Sequence, residues 1–230
     1  MRKLTVIGIM FLMVLVTAFG GTADKAAAET YTYSSSFSEP VTIPDNDDNG
    51  TELTINVSCS FIIDNMSVTL DIEHSWVGDL GVLVEAPTGD FLWLTDQDWW
   101  NANKLAQGEE YMFTDSASDH LPVKEWPHGY IISGGSYLPD DGRGVTFALS
   151  FKGLNAIGDW KLWLCDDWVD CEGALYSWKL DFEGVPASPI PGDFGPDGDV
   201  DGSDLAEFAG GGTGISLQEF AKNLGKTGYL

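Results

Sequence analysis

Seven short segments with apolar side chains at every second position constrain this chain more than any other feature. TELTINVSCSF, MSVTLDIEHSW, LGVLVEAP and DFLWLTD lie in the first half, and GVTFALSFKGL, GDWKLWLCDD and ALYSWKLDFEG in the second. Each is rich in β-branched or aromatic residues and is bounded by Gly, Pro, Asn or Asp, which is the signature of short strands with one buried face. In APTGD (Ala86 to Asp90), a proline followed by a glycine able to take positive φ predicts a hairpin turn. Many short strands joined by turns, with almost no helical periodicity, predict an all-β fold: an antiparallel β-sandwich of jelly-roll type. Between Trp99 and Leu138 the alternation loosens, which predicts a long excursion of surface loops with one or two short strands.

The ends of the chain read differently. Met1, Arg2 and Lys3 precede an unbroken apolar run and then small residues, the layout of a secretory signal peptide over residues 1–28 with cleavage after Ala23 or Ala28. A retained membrane anchor is the alternative, although the run is close to the short limit for a span. The expectation is a secreted, extracellular or periplasmic protein, with no membrane association after cleavage. The formal charge is −25, and removing the leader takes away three basic groups but only one acid. Nucleic acid is excluded as a partner, because a phosphate backbone demands a basic face.

In an oxidising compartment a disulfide is expected between Cys165 and Cys171, which enclose the polar loop DDWVD. Cys59 alternates as a buried strand residue and reads as a core thiol. The sequence supplies no catalytic constellation. A serine nucleophile needs a histidine oriented by a carboxylate. His74 lies in an alternating strand as a structural histidine would, while His120 and His128 sit in the loop excursion with no serine in a nucleophile context. With 36 acidic residues, pairs of carboxylates occur everywhere and do not point to glycosidase chemistry. Trp93, Trp99 and Trp100 could stack on sugars, which makes a carbohydrate-binding module the alternative reading. Asp79 follows a turn glycine and is expected to accept backbone N–H groups there. Asp45, Asp47 and Asp141 are its candidate helpers in a second metal site.

After Phe182 a Pro-punctuated linker (residues 184–192) separates residues 29–183 from a tail, residues 193–230. The tail opens on DFGPDGDVDGSD. Numbered from Asp193, this stretch places carboxylates at the EF-hand ligand positions 1, 5, 9 and 12 (Asp193, Asp197, Asp201, Asp204). Gly198 stands at 6, Asp199 offers its carbonyl at 7, and aliphatic Val200 stands at 8. Ca²⁺ is therefore the expected cofactor. Gly195 at position 3 has no side-chain oxygen, so the affinity should be extracellular-grade, on the order of 10⁻⁵ to 10⁻³ M. Leu205 and Phe208 open an apolar helical face. In GISLQEFAKNLGK, Ile215 aligns with Val200, Glu219 with Asp204 and Phe220 with Leu205; Ser216 and Glu219 form a capping box and Gly225 stops the helix. The tail thus reads as a small α-helical, EF-hand-like appendage with one calcium loop and one empty mate. Its Asp at position 12 resembles dockerin loops, and a dockerin-like assembly module is a further alternative.

The β region also resembles a known family. His74 with Gly78, Asp79 and Leu80, the turn at Pro87 and Gly89, and the closing elements Gly158, Trp160, Leu162 and Gly173, Leu175, Trp178, Leu180, Phe182 occur in one order. This set, over about residues 40–183, is similar to the P domain (Homo B domain) of subtilisin-like proprotein convertases and bacterial serine proteases. The resemblance implies a jelly-roll β-sandwich that is not itself catalytic and that stabilises an associated protease. It also implies a protein partner, a subtilisin-like protease being the first candidate. No protease domain precedes the β region in this sequence, so an accessory or protein-interaction role in proteolysis is the expectation.

Overall fold

The structure is a computed structural model, and it describes residues 28–95, 101–122, 129–140, 142–187, 192, 194, 200, 202–209 and 215–226. The signal-peptide reading concerns residues outside these, apart from Ala28.

Two open sheets face one another. One has the order β1 (Glu29–Ile43), β9 (Gly173–Pro186), β3 (Phe61–His74), β6 (Glu110–Thr114), β7 (Gly135–Tyr137); the other runs β2 (Asp47–Val57), β8 (Gly158–Asp166), β4 (Leu80–Glu85), β5 (Phe91–Thr95). All pairings between these strands are antiparallel except β6 with β7, which run parallel. The all-β sandwich expected from the alternation is present, and it does not close into a barrel. The two strands latest in the chain, β8 and β9, lie inside the two sheets, so both sheets depend on long-range pairing.

The core follows the period of two. Trp160, Leu162 and Leu164 of β8 and Leu175, Trp178, Leu180 and Phe182 of β9 are all buried. Phe61, Phe182, Trp160 and Phe151 pack edge-on in a chain, with centroid separations of 5.4, 5.2 and 5.3 Å. Such contacts contribute about 0.5–1.5 kcal/mol each beyond the area they bury. The APTGD turn forms as expected, with Ala86 and Asp90 bonded across it and Gly89 at φ +88°.

Three expectations need correction. β1 was not among the expected strands. Its alternation is carried by Tyr31 and Tyr33 and then dilutes into serines, and its pairing with β9 shifts register between Ser36 and Val41. TELTINVSCSF is not one strand: β2 ends at Val57, and Cys59 sits half-buried in the turn before β3. GVTFALSFKGL is not a strand at all but contains the short helix α1 (Phe147–Phe151). Phe147 and Phe151 are four residues apart and both are buried, so one helical face delivers two rings to the core. Thr146 caps the helix by accepting from the Leu149 N–H, and Asp115 accepts from the N–H groups of Phe147 and Ala148 at 2.9 and 2.8 Å. Among its described residues the excursion contains two short strands, β6 and β7. At the other boundary, β9 continues three residues into the expected linker, since Gly184, Val185 and Pro186 pair with β3.

The tail contains α2 (Gly202–Ala209) and α3 (Leu217–Asn223). Phe194, Phe208 and Phe220 stack, the last two at 4.8 Å. Ser216 accepts from the Glu219 N–H as the capping box requires, and Gly225 follows α3 at φ +79°. Asp115→Ala should lower stability by about 1–2 kcal/mol by orphaning two first-turn donors. Urea denaturation reads this as a lower midpoint, with Asp115→Asn retaining part of the loss; an unchanged midpoint would remove Asp115 as the cap of α1.

Candidate functional site

The alternation that builds the core carries two polar residues into it. Val68, Leu70 and Ile72 of β3 face inward, and His74 is the next inward position; Leu162 and Leu164 of β8 face inward, and Asp166 is the next. The two side chains are fully buried and meet across the sheets, His74 Nε2 lying 3.2 Å from Asp166 Oδ2. On the other side of the ring, Nδ1 meets the backbone of Trp76, 2.7 Å from its carbonyl and 3.2 Å from its N–H. Asp166 also accepts from the Trp168 N–H at 3.1 Å. Burial pushes the Asp166 carboxyl above its ordinary value, against the opposing effects of the Trp168 N–H and the imidazole. The ring has no room to move: a Cβ on Gly173 would lie 2.2 Å from His74 Cδ2. His74 and Gly173, two of the residues shared with the P-domain pattern, are thus one packing contact.

A second layer surrounds this pair. Val77–Asp79 forms a single 3-10 turn whose Val77 and Gly78 N–H groups donate to the carbonyls of Asn103 and Asn101. Asp79 is not seen to cap its own turn, as the sequence suggested; the Cys171 thiol beside its carboxylate acts as a hydrogen-bond donor that lowers its pKa. Burial, and then the charges of Asp166 and Asp167, hold Asp79 above the ordinary carboxylate range despite that bond. The Cys171 thiol is itself pushed up to about 11, by burial first and by the Asp79 and Asp166 charges. Asp45 Oδ1 accepts the Cys171 N–H at 3.4 Å. The backbone of Glu172 exchanges bonds with Ser75: Glu172 N–H donates to Ser75 Oγ and Ser75 N–H to the Glu172 carbonyl, each at 3.0 Å.

The expected Cys165–Cys171 bridge is absent, and all three cysteines are thiols. Strand alternation explains this. Cys165 precedes inward-facing Asp166 and so projects from the opposite face of β8, whereas Cys171 lies past the end of that strand, in the loop before β9, with Ser75 and Asp79 as neighbours. The second metal set also fails to assemble. Asp45 and Asp79 converge on Cys171, but Asp47 turns to Asn49, whose N–H and side-chain amide it accepts and which lower its pKa. Asp141 lies outside the described residues, and among those described no group of three His, Cys, Asp or Glu residues is arranged to hold a metal. Asp166 escaped the sequence reading although its inward position in the β8 alternation was legible.

In the tail, Asp193, Asp197, Asp199 and Asp201 lie outside the described residues. Asp204 is 1% exposed and accepts the Phe194 N–H at 2.7 Å, and Val200 is fully buried. Val200 does not pair with its aligned residue Ile215: its N–H donates to Lys226 and its carbonyl accepts from Gly225. Trp99 and Trp100 also lie outside the described residues, and Trp93 packs edge-on against Trp163 at 5.6 Å, each half-buried.

No family model and no curated protein matches the chain. Among solved structures, the serine protease of Aeromonas sobria is similar, with a TM-score of 0.42 and 13% identity over 71% of this chain and 28% of that one. The complex of that protease with its chaperone contains a similar chain as well, with a TM-score of 0.42 and 14% identity over 70% of this chain and 27% of that one. The chain thus spans roughly a quarter of the length of the solved chains it matches.

The raised Asp79 carboxyl makes a signed prediction. It holds its proton more tightly folded than unfolded, so protonation supports the fold at low pH and that support is lost as the pH rises through the folded value. Asp79→Asn should flatten the dependence of Tm on pH above the ordinary carboxylate value of 3.8 and raise Tm at pH 7 relative to the parent. A parallel, unflattened profile would contradict the burial of this charge.

Proposed function

We propose that the protein is an exported, non-catalytic β-sandwich that binds a protein partner, as an accessory or stabilising module of subtilisin-like serine protease systems. The observation that carries this reading is the state of His74. It is the histidine among the residues that carry the P-domain-like pattern, and both its ring nitrogens are committed inside the core, one to the Trp76 backbone and one to Asp166. A general base needs a nitrogen within reach of a nucleophile, and this ring is instead clamped between Gly173 and the opposite sheet. The residues of the family-like pattern serve packing: Trp160 and Phe182 centre the aromatic core, and Gly173 gives the imidazole its place.

The tail is proposed to bind Ca²⁺ through Asp193, Asp197, Asp201 and Asp204 with the Asp199 carbonyl. The fit rests on Asp204, a carboxylate buried where the loop's last ligand belongs, and on Val200, buried at the aliphatic position. A calcium ion there would supply charge neutralisation that lets the carboxylates converge. Their part is to tie α2 to the segment after α3 through Val200.

Purified protein incubated with casein and a peptide library should leave both intact, with and without calcium; cleavage blocked by a serine-directed inhibitor would overturn the accessory reading. Calcium at about 100 times its dissociation constant should add about 2.7 kcal/mol to the stability of the tail. Asp193→Ala combined with Asp201→Ala should abolish the resulting rise in Tm, and a melting curve unmoved by chelator would remove the calcium assignment.

A further inference from the structure

At the end of the sandwich that holds His74, a groove of about 680 Å³ opens to solvent. Its floor is a row across three strands, Thr42 of β1, Ala174 of β9 and Glu73 of β3, brought side by side by the sheet register. Ala174 adds only a methyl group to that floor. Three carboxylates line it, Asp45, Glu73 and Glu172, against one ammonium, Lys104. Glu73 is held in place by the Tyr176 hydroxyl, which donates to it at 2.6 Å. The opposite lip is apolar: Ile131 lines the groove while 61% exposed, and its backbone pairs with Lys104.

We infer that this groove is the docking site for an arginine- or lysine-bearing segment of a protein partner. The inference rests on the protein-binding reading above and supplies its chemistry. Two features of a basic side chain are matched separately: the charged head by the excess of carboxylates, and the aliphatic stem by Ile131. A concave site in a chain of formal charge −25 focuses the field and draws a cationic segment in. An anionic or purely apolar segment meets the wrong sign or leaves the carboxylates desolvated and unpaired.

The test uses the full chain and a fluorescein-labelled octapeptide of alternating arginine and glycine, read by fluorescence anisotropy at low and high salt. Glu73→Gln with Glu172→Gln should weaken binding about tenfold or more, as expected for the loss of charge-assisted contacts. Ile131→Ser should weaken it less but measurably. The control is Glu52→Gln with Glu85→Gln, which removes two carboxylates paired to Lys161 on the other sheet. It lowers the total charge equally and should change binding less than about twofold if the groove, not the net charge, is the site. Equal losses in both double variants, no loss in the groove variant, or equal binding of the matching glutamate peptide would overturn the inference. Mass spectrometry of the same peptide separates the two readings. A bound, intact peptide supports both, a cleaved peptide overturns the non-catalytic reading whatever the groove does, and an intact peptide that ignores the groove variants overturns the groove alone.

Discussion

One buried contact organises this end of the molecule: the imidazole of His74 against the carboxylate of Asp166. The two residues belong to different sheets, so their bond is a polar rivet between two layers whose core is otherwise built mainly of apolar side chains. Burying a histidine and a carboxylate is costly unless every polar atom finds a partner. Here the Trp76 carbonyl and the Trp168 N–H complete the set. Much of the surrounding architecture follows from that requirement. Gly173 must lack a side chain, the 3-10 turn must carry the Trp76 carbonyl to the ring, and β8 must end on an inward carboxylate.

The same rivet shapes what the surface can do. Fixing the ends of β3 and β9 beside the loop at Leu105 creates the acidic groove, since His74 exchanges backbone bonds with Leu105 directly behind it. A rigid floor lets the groove carboxylates be held in place before any ligand arrives, which reduces the ordering cost of binding. The histidine thus belongs to the scaffold and the neighbouring glutamates to recognition. The tail would add a separate, ion-dependent unit, built around stacked Phe194, Phe208 and Phe220.

Much of this was legible in the sequence, and the failures have physical reasons. Alternation revealed the core strands because each has one wet and one dry face. It failed for β1, whose serines carry no polarity contrast. It failed again at Phe147–Phe151, where two aromatics four residues apart satisfy a helix better than a strand and the deciding group, Asp115, lies far away in sequence. Close spacing suggested that Cys165 and Cys171 would bridge, yet parity turns Cys165 away from the inward face of β8, while Cys171, past the end of that strand, sits beside Ser75 and Asp79. Parity could equally have found the site: His74 and Asp166 each continue an inward apolar run by one step of two. The groove could not be read at all, because its carboxylates come from three separate segments joined only by sheet register.

The most direct test of the account is a double-mutant cycle on His74 and Asp166 in the full chain, measured by urea denaturation at pH 7. The rivet predicts that His74→Ala and Asp166→Ala each cost about 3–5 kcal/mol, because each strands a buried polar partner. The double variant should then cost little more than either single change, giving a coupling of about 2 kcal/mol or more. Additive losses with no coupling would contradict the account, since they would mean that the two sheets are held at this end without the pair.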